Sequence, residues 1–286
     1  MALNSINTNV SALAALQSLN RTNDMLAVSQ KRVSTGFRVA DAKDDGAAFA
    51  VAQTVRADMS GLQSANEQLG GVKGVLDTTL AGLNKVSDTM QEVRGLLVKL
   101  SDDTINADQR AQYEAQYDEL RNQIAYFLRD AVYNNRTLLT PDTAGPAGAA
   151  PANLESGDVI TVRNEIGTTY AISETAAASL TIATAPATAA AARAALDNGG
   201  NFETVMTALN SALNGYGSVS RYVDSQIAYN QVKLDNLESG LGALIDADLA
   251  KESARLQALQ IRQQLGTQSL SIANQAPQAL LTLFNR

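Results

Sequence analysis

Apolar residues recur along this chain in alternating steps of three and four. Leu69, Val72, Leu76, Thr79, Leu83, Val86, Met90, Val93, Leu97 and Leu100 keep the spacing, with only Thr79 off type. Val55, Leu62 and Ala65 carry it backwards past one break at Asp58. Side chains three and four apart share one helix face, so the run predicts a long coiled-coil helix. Tyr113, Tyr117, Leu120, Ile124, Phe127 and Ala131 resume the spacing after a polar turn at Ser101–Ala107. Asp102, Asp103 and Asp108 place negative charge where a helix start favours it. A third run, Leu209, Leu213, Tyr216, Val223, Ile227, Leu234, Leu237, Leu241 and Leu244, marks another long helix. Three seams need partners. The expected fold is therefore mostly α, a long antiparallel helical bundle or coiled coil formed by the N- and C-terminal halves.

Six glycines (Gly61, Gly70, Gly71, Gly74, Gly82 and Gly95) lie in the first long helix. Each costs about 1 kcal/mol against alanine. The helix must therefore be held by neighbours, which glycine lets approach closely. The middle of the chain breaks the pattern. Pro141, Pro146, Pro151 and Pro186 fall there, in a low-complexity mixture of Ala, Thr and Gly. Within it, Asp158–Arg163 and Thr168–Ser173 flank Asn164-Glu-Ile-Gly167, a β-hairpin signal. Residues ~141 to ~200 read as a small insert on a helical scaffold, with Ser and Thr that composition makes available to sugars.

Both ends are uncharged, over residues 1–20 and 263–285. Neither is simply greasy. Leu3, Ile6, Val10, Leu13 and Leu16 alternate with Asn, Ser and Thr, and Leu265, Leu270, Ile272, Leu280 and Leu283 with Gln, Asn and Ser. A helix that is apolar on one face and polar but uncharged on the other suits dense packing among copies, where a charge would need a partner. Both termini read as assembly elements.

Composition narrows the chemistry. The chain has 286 residues, 45% hydrophobic but only 5% aromatic, which suits thin helical bundles. Its net charge of −7 argues against nucleic acid as a partner and gives no support to an anionic membrane surface. No Cys, His or Trp is present. Disulfides, His or Cys zinc sites and Cys- or His-based nucleophiles are thereby excluded. No apolar run of ~18 residues predicts a membrane helix. The N-terminus lacks the basic region of a secretory signal peptide, the first cation being Arg21.

One stretch, VSTGFRVADAKDDG at 33–46, concentrates charge between two helical runs. Counted as a calcium loop from Asp41, it puts Lys43 at a ligand position and Ala52 where the bidentate Glu belongs, so the motif fails. No Gly-Lys-Ser/Thr follows for a phosphate loop. Asp44 and Asp45 point ~100° apart on a helix, with no second acidic cluster to work with. The sequence thus predicts no catalytic residue, no metal site and no cofactor. As a joint the stretch makes sense: Gly36 takes a left-handed stop, Phe37 and Val39 anchor the segment, and Asp44 or Asp45 caps the next helix.

INTNVSALAALQSLNRTN, VSTGFRVADAKDDGAAFAVA and the C-terminal IANQAPQALLTLF closely resemble bacterial flagellin, in the style of the alphaproteobacterial members. YNNRTLL at 133–139 and DADLAKESARLQALQIRQQLGTQSL are similar to further segments of that family. The resemblance covers roughly 1–140 and 200–286. It implies a subunit that polymerises into the flagellar filament, the helical propeller of swimming bacteria. Residues 1–33 with 252–286 would form paired inner-tube helices, carrying Leu3, Ile6, Val10, Leu13, Leu16, Leu256, Leu259, Leu265, Ile272, Leu280 and Leu283 as assembly contacts. Residues 34–46 with 245–251 would form spoke linkers through Gly36, Phe37, Arg38, Asp41, Lys43, Asp44 and Asp45. Residues 47–140 with 200–244 would form the outer tube, and 141–199 a surface-exposed variable insert.

The resemblance further implies partners: other copies of the chain, an export chaperone, and filament cap and hook-junction proteins, with no nucleic acid and no membrane insertion. Localisation would be the extracellular flagellum, reached without a cleaved signal peptide. In members sensed by the animal flagellin receptor, an Arg lies between Gln and Val of the contact helix. Here Gln91-Glu92-Val93-Arg94-Gly95-Leu96 has Glu92 in that place and Gly95 where an acid is usual, so recognition is expected to be weak. A hook–filament junction protein is the alternative, disfavoured by the match at the joint and the small insert.

Overall fold

A computed structural model describes residues 9–142 and 153–284, with side chains throughout except at 276–284. Leu3 and Ile6 lie outside the described residues, and Leu280 and Leu283 outside the described side chains. Contacts cluster into two compact units, Met1–Ala57 with Asn236–Arg286, and Asp58–Asp235.

The second unit is built on three helices: α2 (Gly46–Leu100), α3 (Ala107–Asp130) and α5 (Asn201–Ile245), of which α2 and α5 also contribute to the first unit. The periodic run on α2 is its core. From Leu62 through Leu100 every predicted seam residue is buried, including Thr79, whose Oγ1 donates to the Val75 carbonyl at 2.8 Å. A hydroxyl satisfied within its own helix sits in an apolar seam at little cost. Tyr117, Ile124 and Leu128 of α3 and Phe202, Val205, Leu209, Ala212, Tyr216 and Val223 of α5 complete the cluster. The α3 cap is not one of the aspartates of the preceding turn. Asn106 accepts from the Gln109 N–H at 2.8 Å, and Gln109 returns the contact in a capping box. Asp108 does fall in the first turn.

The third sequence run skips a position between Ile227 and Leu234, and the structure fills it with Asn230, fully buried. Its Nδ2 donates to Asn66 Oδ1 at 2.9 Å and to the Arg163 carbonyl at 3.1 Å, while Gln226 Nε2 donates to its Oδ1 at 2.9 Å. This node ties α5 to α2 and to the insert. The α2 glycines divide. A Cβ on Gly74 would fall 2.6 Å from the Tyr133 ring and one on Gly82 2.8 Å from Ala131 Cβ, whereas Gly70, Gly71 and Gly95 face open space.

In the insert, β4 (Val159–Val162) pairs antiparallel with β5 (Thr169–Ile172), with Val159 opposite Ile172. That is the hairpin the sequence predicts. Four two-residue strands lie around it. β1 (Arg136–Thr137) pairs in parallel with β3 (Glu155–Ser156), and β2 (Leu139–Thr140) with β6 (Thr175–Ala176). A 3-10 turn (Ala177–Leu180) and α4 (Ala189–Leu196) follow, neither foreseen in the low-complexity sequence. One face of the insert enters the helical core through Val159, Ile172, Ala177, Leu180 and Ile182, while Ile160 and Ile166 stay exposed.

The first unit holds α1 (Val10–Thr35), α6 (Leu249–Phe284), the adjoining ends of α2 and α5, and the segment between α1 and α2. It has a small core of Val39, Ala52 and Ile245, with Phe37, Phe49 and Leu244 packed on it. Among the described residues no helix is long and apolar enough to cross a membrane, and no group of acidic side chains is arranged to hold a metal.

Candidate assembly site

The joint begins where α1 stops. Gly36 has φ +76° and donates its N–H to the Arg32 carbonyl at 2.9 Å, the left-handed end that Ser34-Thr35-Gly36 predicts. The chain then satisfies the last carbonyls of α5, which have no partner within that helix. The N–H groups of Arg38 and Val39 reach the Ile245 carbonyl at 2.6 and 3.2 Å. The Arg38 guanidinium takes the Leu244 carbonyl, and Ala247 N–H returns to Gly36 at 2.9 Å.

Each aspartate of the cluster has its own task. Asp45 accepts from Ala47 and Ala48 N–H at 3.1 and 3.0 Å and is the cap of α2. Asp44 instead folds the turn, accepting from Ala40 N–H at 3.0 Å. Lys31 of α1 spans Asp41 and Asp44, each at 2.7 Å, and Asp41 also receives Lys43 N–H at 2.8 Å. These hydrogen bonds, above all those with Lys31, hold both carboxyls below the usual aspartate value and raise the lysine. Lys43 itself is exposed. Phe37 lies 5.8 Å beneath the Arg56 guanidinium.

Beyond the joint, α1 and α6 run antiparallel, with Asn9 Nδ2 donating to the Ala273 carbonyl at one end and Ser29 meeting Glu252 at the other. The covered positions of α1 are Ala12, Ala15, Leu19, Thr22, Leu26 and Ser29, again in steps of three and four, with Met25 half-buried beside Leu26. Those of α6 are Glu252, Leu256, Leu259, Gln263, Gly266, Leu270 and Ala273. The seam is thin. A Cβ on Gly266 would already stand 3.1 Å from Leu19 Cδ1. A second set of large apolar side chains points elsewhere: Val10, Leu13 and Leu16 on α1 and Ile261, Leu265 and Ile272 on α6 are exposed, Ile272 by 68%. Of the residues singled out by sequence, Leu256 and Leu259 thus serve the internal pair, and Val10, Leu13, Leu16, Leu265 and Ile272 do not.

The pair is closed by polar residues that a hydrophobic pattern passes over. Ser29 Oγ donates to Glu252 Oε2 and Arg32 to Oε1, both at 3.0 Å. Burial alone would raise the Glu252 carboxyl, but these two hydrogen bonds, together with the positive charges of Arg32 and Arg255, outweigh it and hold the group below its ordinary 4.5. The only sequence signal was position: Ser29 and Glu252 fall on the seam frame.

Comparison with known proteins decides the identity. The model for the bacterial flagellin N-terminal helical region matches residues 6–143, and that for the bacterial flagellin C-terminal helical region matches 200–284. Flagellin FljM of Caulobacter vibrioides is 35% identical over 284 residues, covering 99% of this chain and all of the relative. A flagellin of Brucella melitensis is 34% identical over 283 residues, covering 98% of this chain and 99% of its own. The chain belongs to the bacterial flagellin family.

As a flagellin it is a structural subunit that polymerises into the filament of the extracellular flagellum, and the junction-protein alternative is not favoured. Both family matches fall on helical regions and leave 144–199 outside them. Of the α2 residues singled out in the sequence, Gln91, Glu92 and Arg94 are exposed, whereas Leu96 turns into the core at 8% exposure.

Proposed function

We propose that this flagellin assembles by burying the outer faces of its terminal helix pair against neighbouring copies. Residues 1–33 with 252–286 then form the inner tube, 34–46 with 245–251 the spoke, and 47–140 with 200–244 the outer tube. Residues 141–199 face outwards. One observation carries this reading. The intrachain seam uses mostly small or polar residues, while Val10, Leu13, Leu16, Leu265 and Ile272 remain uncovered. Uncovered Leu and Ile side chains gain roughly 1.5–3 kcal/mol each when buried, and repeated copies supply the cover. Leu3 and Ile6 keep the spacing of Val10 and Leu13 in sequence, and Leu280 and Leu283 belong to the same proposed assembly element.

Torque is carried mechanically, with no catalytic residue, metal or cofactor. Export proceeds in the unfolded state without a cleaved signal, an export chaperone shields the C-terminal helix, and cap and hook-junction proteins bracket assembly. The test is seeded growth followed by electron microscopy: full-length protein elongates filament fragments, and a chain lacking residues 263–286 does not. Normal elongation by the truncated chain refutes the assignment. Glu92 and Gly95 make this monomer a poor agonist of the animal flagellin receptor. Robust signalling by purified monomer at ordinary agonist doses would overturn that part.

A further inference from the structure

Asparagine is followed by glycine twice in this chain, at Asn198-Gly199 and at Asn214-Gly215. All four residues are exposed. Their backbones differ. Asn214 and Gly215 lie inside α5, where the Gly215 N–H belongs to the helical ladder. The next residue, Tyr216, is buried, and its hydroxyl meets the Leu138 carbonyl at 3.0 Å and Thr175 Oγ1 at 2.9 Å.

Asn198 and Gly199 are instead the two central residues of the turn between α4 and α5. Gly200 N–H closes it on the Asp197 carbonyl at 2.7 Å. Gly199 has φ +87°, a conformation that calls for glycine at that position of a turn. Among the described residues, neither the Asn198 side chain nor the Gly199 N–H makes a hydrogen bond.

We propose that Asn198 is a site of spontaneous modification in the folded protein, converted to aspartate and isoaspartate through a cyclic imide, and that Asn214 is protected. The Gly199 amide nitrogen loses its proton to hydroxide and attacks Asn198 Cγ. A bond forms between that nitrogen and Cγ, the Cγ–Nδ2 bond breaks, and Nδ2 takes a proton from water and leaves as ammonia. Water then opens the ring. Opening at Cγ gives aspartate, and opening at the backbone carbonyl gives isoaspartate, with the chain rerouted through the side chain. No electrons are exchanged, and water is the only co-reactant.

Closing the ring needs the glycine nitrogen swung over the preceding side-chain carbonyl. In the turn, that takes rotation of one peptide and loss of the single Gly200–Asp197 hydrogen bond. In α5 it takes local unfolding around a buried tyrosine, and such openings are far rarer than those of a surface turn. The two dipeptides are equal in sequence and in exposure, so the backbone alone separates them. The turn that requires Gly199 thereby gives Asn198 its reactive neighbour.

The products differ in effect. Aspartate adds one negative charge close to the start of α5, where a helix favours it. Isoaspartate adds a methylene to the backbone of a tight connection, since a Cβ on Gly200 would already collide with the Ala194 carbonyl oxygen.

The experiment follows purified full-length protein at mildly alkaline pH, folded and in urea, by peptide mapping and mass spectrometry. Enzymatic methylation counts isoaspartate, and hydroxylamine traps the imide. Expected in the folded chain is conversion of Asn198 at least about tenfold faster than Asn214, because helix interiors open so much less often than turns. In urea the two rates converge, and the rate at Asn198 rises with hydroxide. Asn198→Gln, with the circular dichroism of wild type, loses the isoaspartate at this turn. Equal rates at the two sites in the folded chain overturn the proposal. So does an Asn198 that converts in urea but not in the folded protein. Aspartate with neither isoaspartate nor trapped imide excludes the ring and overturns the route. The reaction belongs to the monomer, so it stands or falls separately from the reading of the terminal helices.

Discussion

Asn230 donates to Asn66 across the α2–α5 seam at 2.9 Å, in a position with no solvent exposure. A buried amide in an otherwise apolar seam lowers stability relative to leucine but fits only one register, because any slip leaves it unpaired. Asn230→Ala leaves Asn66 Oδ1 without its donor, while Gln226 still donates to the Arg163 carbonyl at 3.2 Å, and should lower the stability of the folded monomer by about 1–3 kcal/mol. Chemical denaturation followed by circular dichroism checks this; an unchanged midpoint would remove the node from the account.

The glycines of α2 give opposite expectations within one helix. Gly95 faces open space, so Gly95→Ala should stabilise the monomer by about 1 kcal/mol through helix propensity. Gly82→Ala adds the same propensity but drives a methyl to 2.8 Å from Ala131 Cβ, and should destabilise instead. Thermal unfolding of the two variants side by side reads the difference in sign.

Gly36 has no neighbour within 4 Å of an added Cβ, so its requirement is backbone alone, at φ +76°. Gly36→Val should cost about 1–3 kcal/mol at that position. The loss should appear as altered filament shape or failed growth, with the far-ultraviolet spectrum of the monomer preserved. Normal filaments would count against the strained joint.

Acid should open the terminal pair. The Glu252 carboxyl is held below 4.5 by Arg32 and Ser29, so its contribution is fully present above the unfolded value and lost as pH falls through the lower folded one. Asp41 and Asp44 shift the same way through Lys31 and add to the loss at the joint below about pH 4. The protection factors of α1 and α6 amides against hydrogen exchange should therefore fall below pH 4.5 in wild type. Glu252→Gln should show faster exchange at neutral pH and a shallower acid response.

Leu16→Asp probes the outer face of the pair. Leu16 is 43% exposed and off the internal seam, so the monomer should keep its melting profile while seeded growth stops. A lowered melting point would place Leu16 in the intrachain pair instead.

Much of this protein is determined by its sequence. The three-and-four spacing from Leu62 to Leu100 is a purely local property of a helix, so the long helices and their buried faces could be read directly. The left-handed end at Gly36 is equally local, since few residues other than glycine tolerate it. The hairpin at 159–172 follows from alternation and a turn. Tertiary structure decided the rest, because those features depend on what lies opposite. Asn230 and Ser29 look like solvent-facing residues until their partners across the seam are known. Asp44 and Asp45 are equivalent caps on paper, and only the position of Lys31 and Ala40 separates their tasks. The terminal leucines share one composition, yet Leu259 closes the internal pair and Leu265 is left for a neighbour. That division is set by which face of α6 meets α1, a property of two helices together that neither one encodes alone.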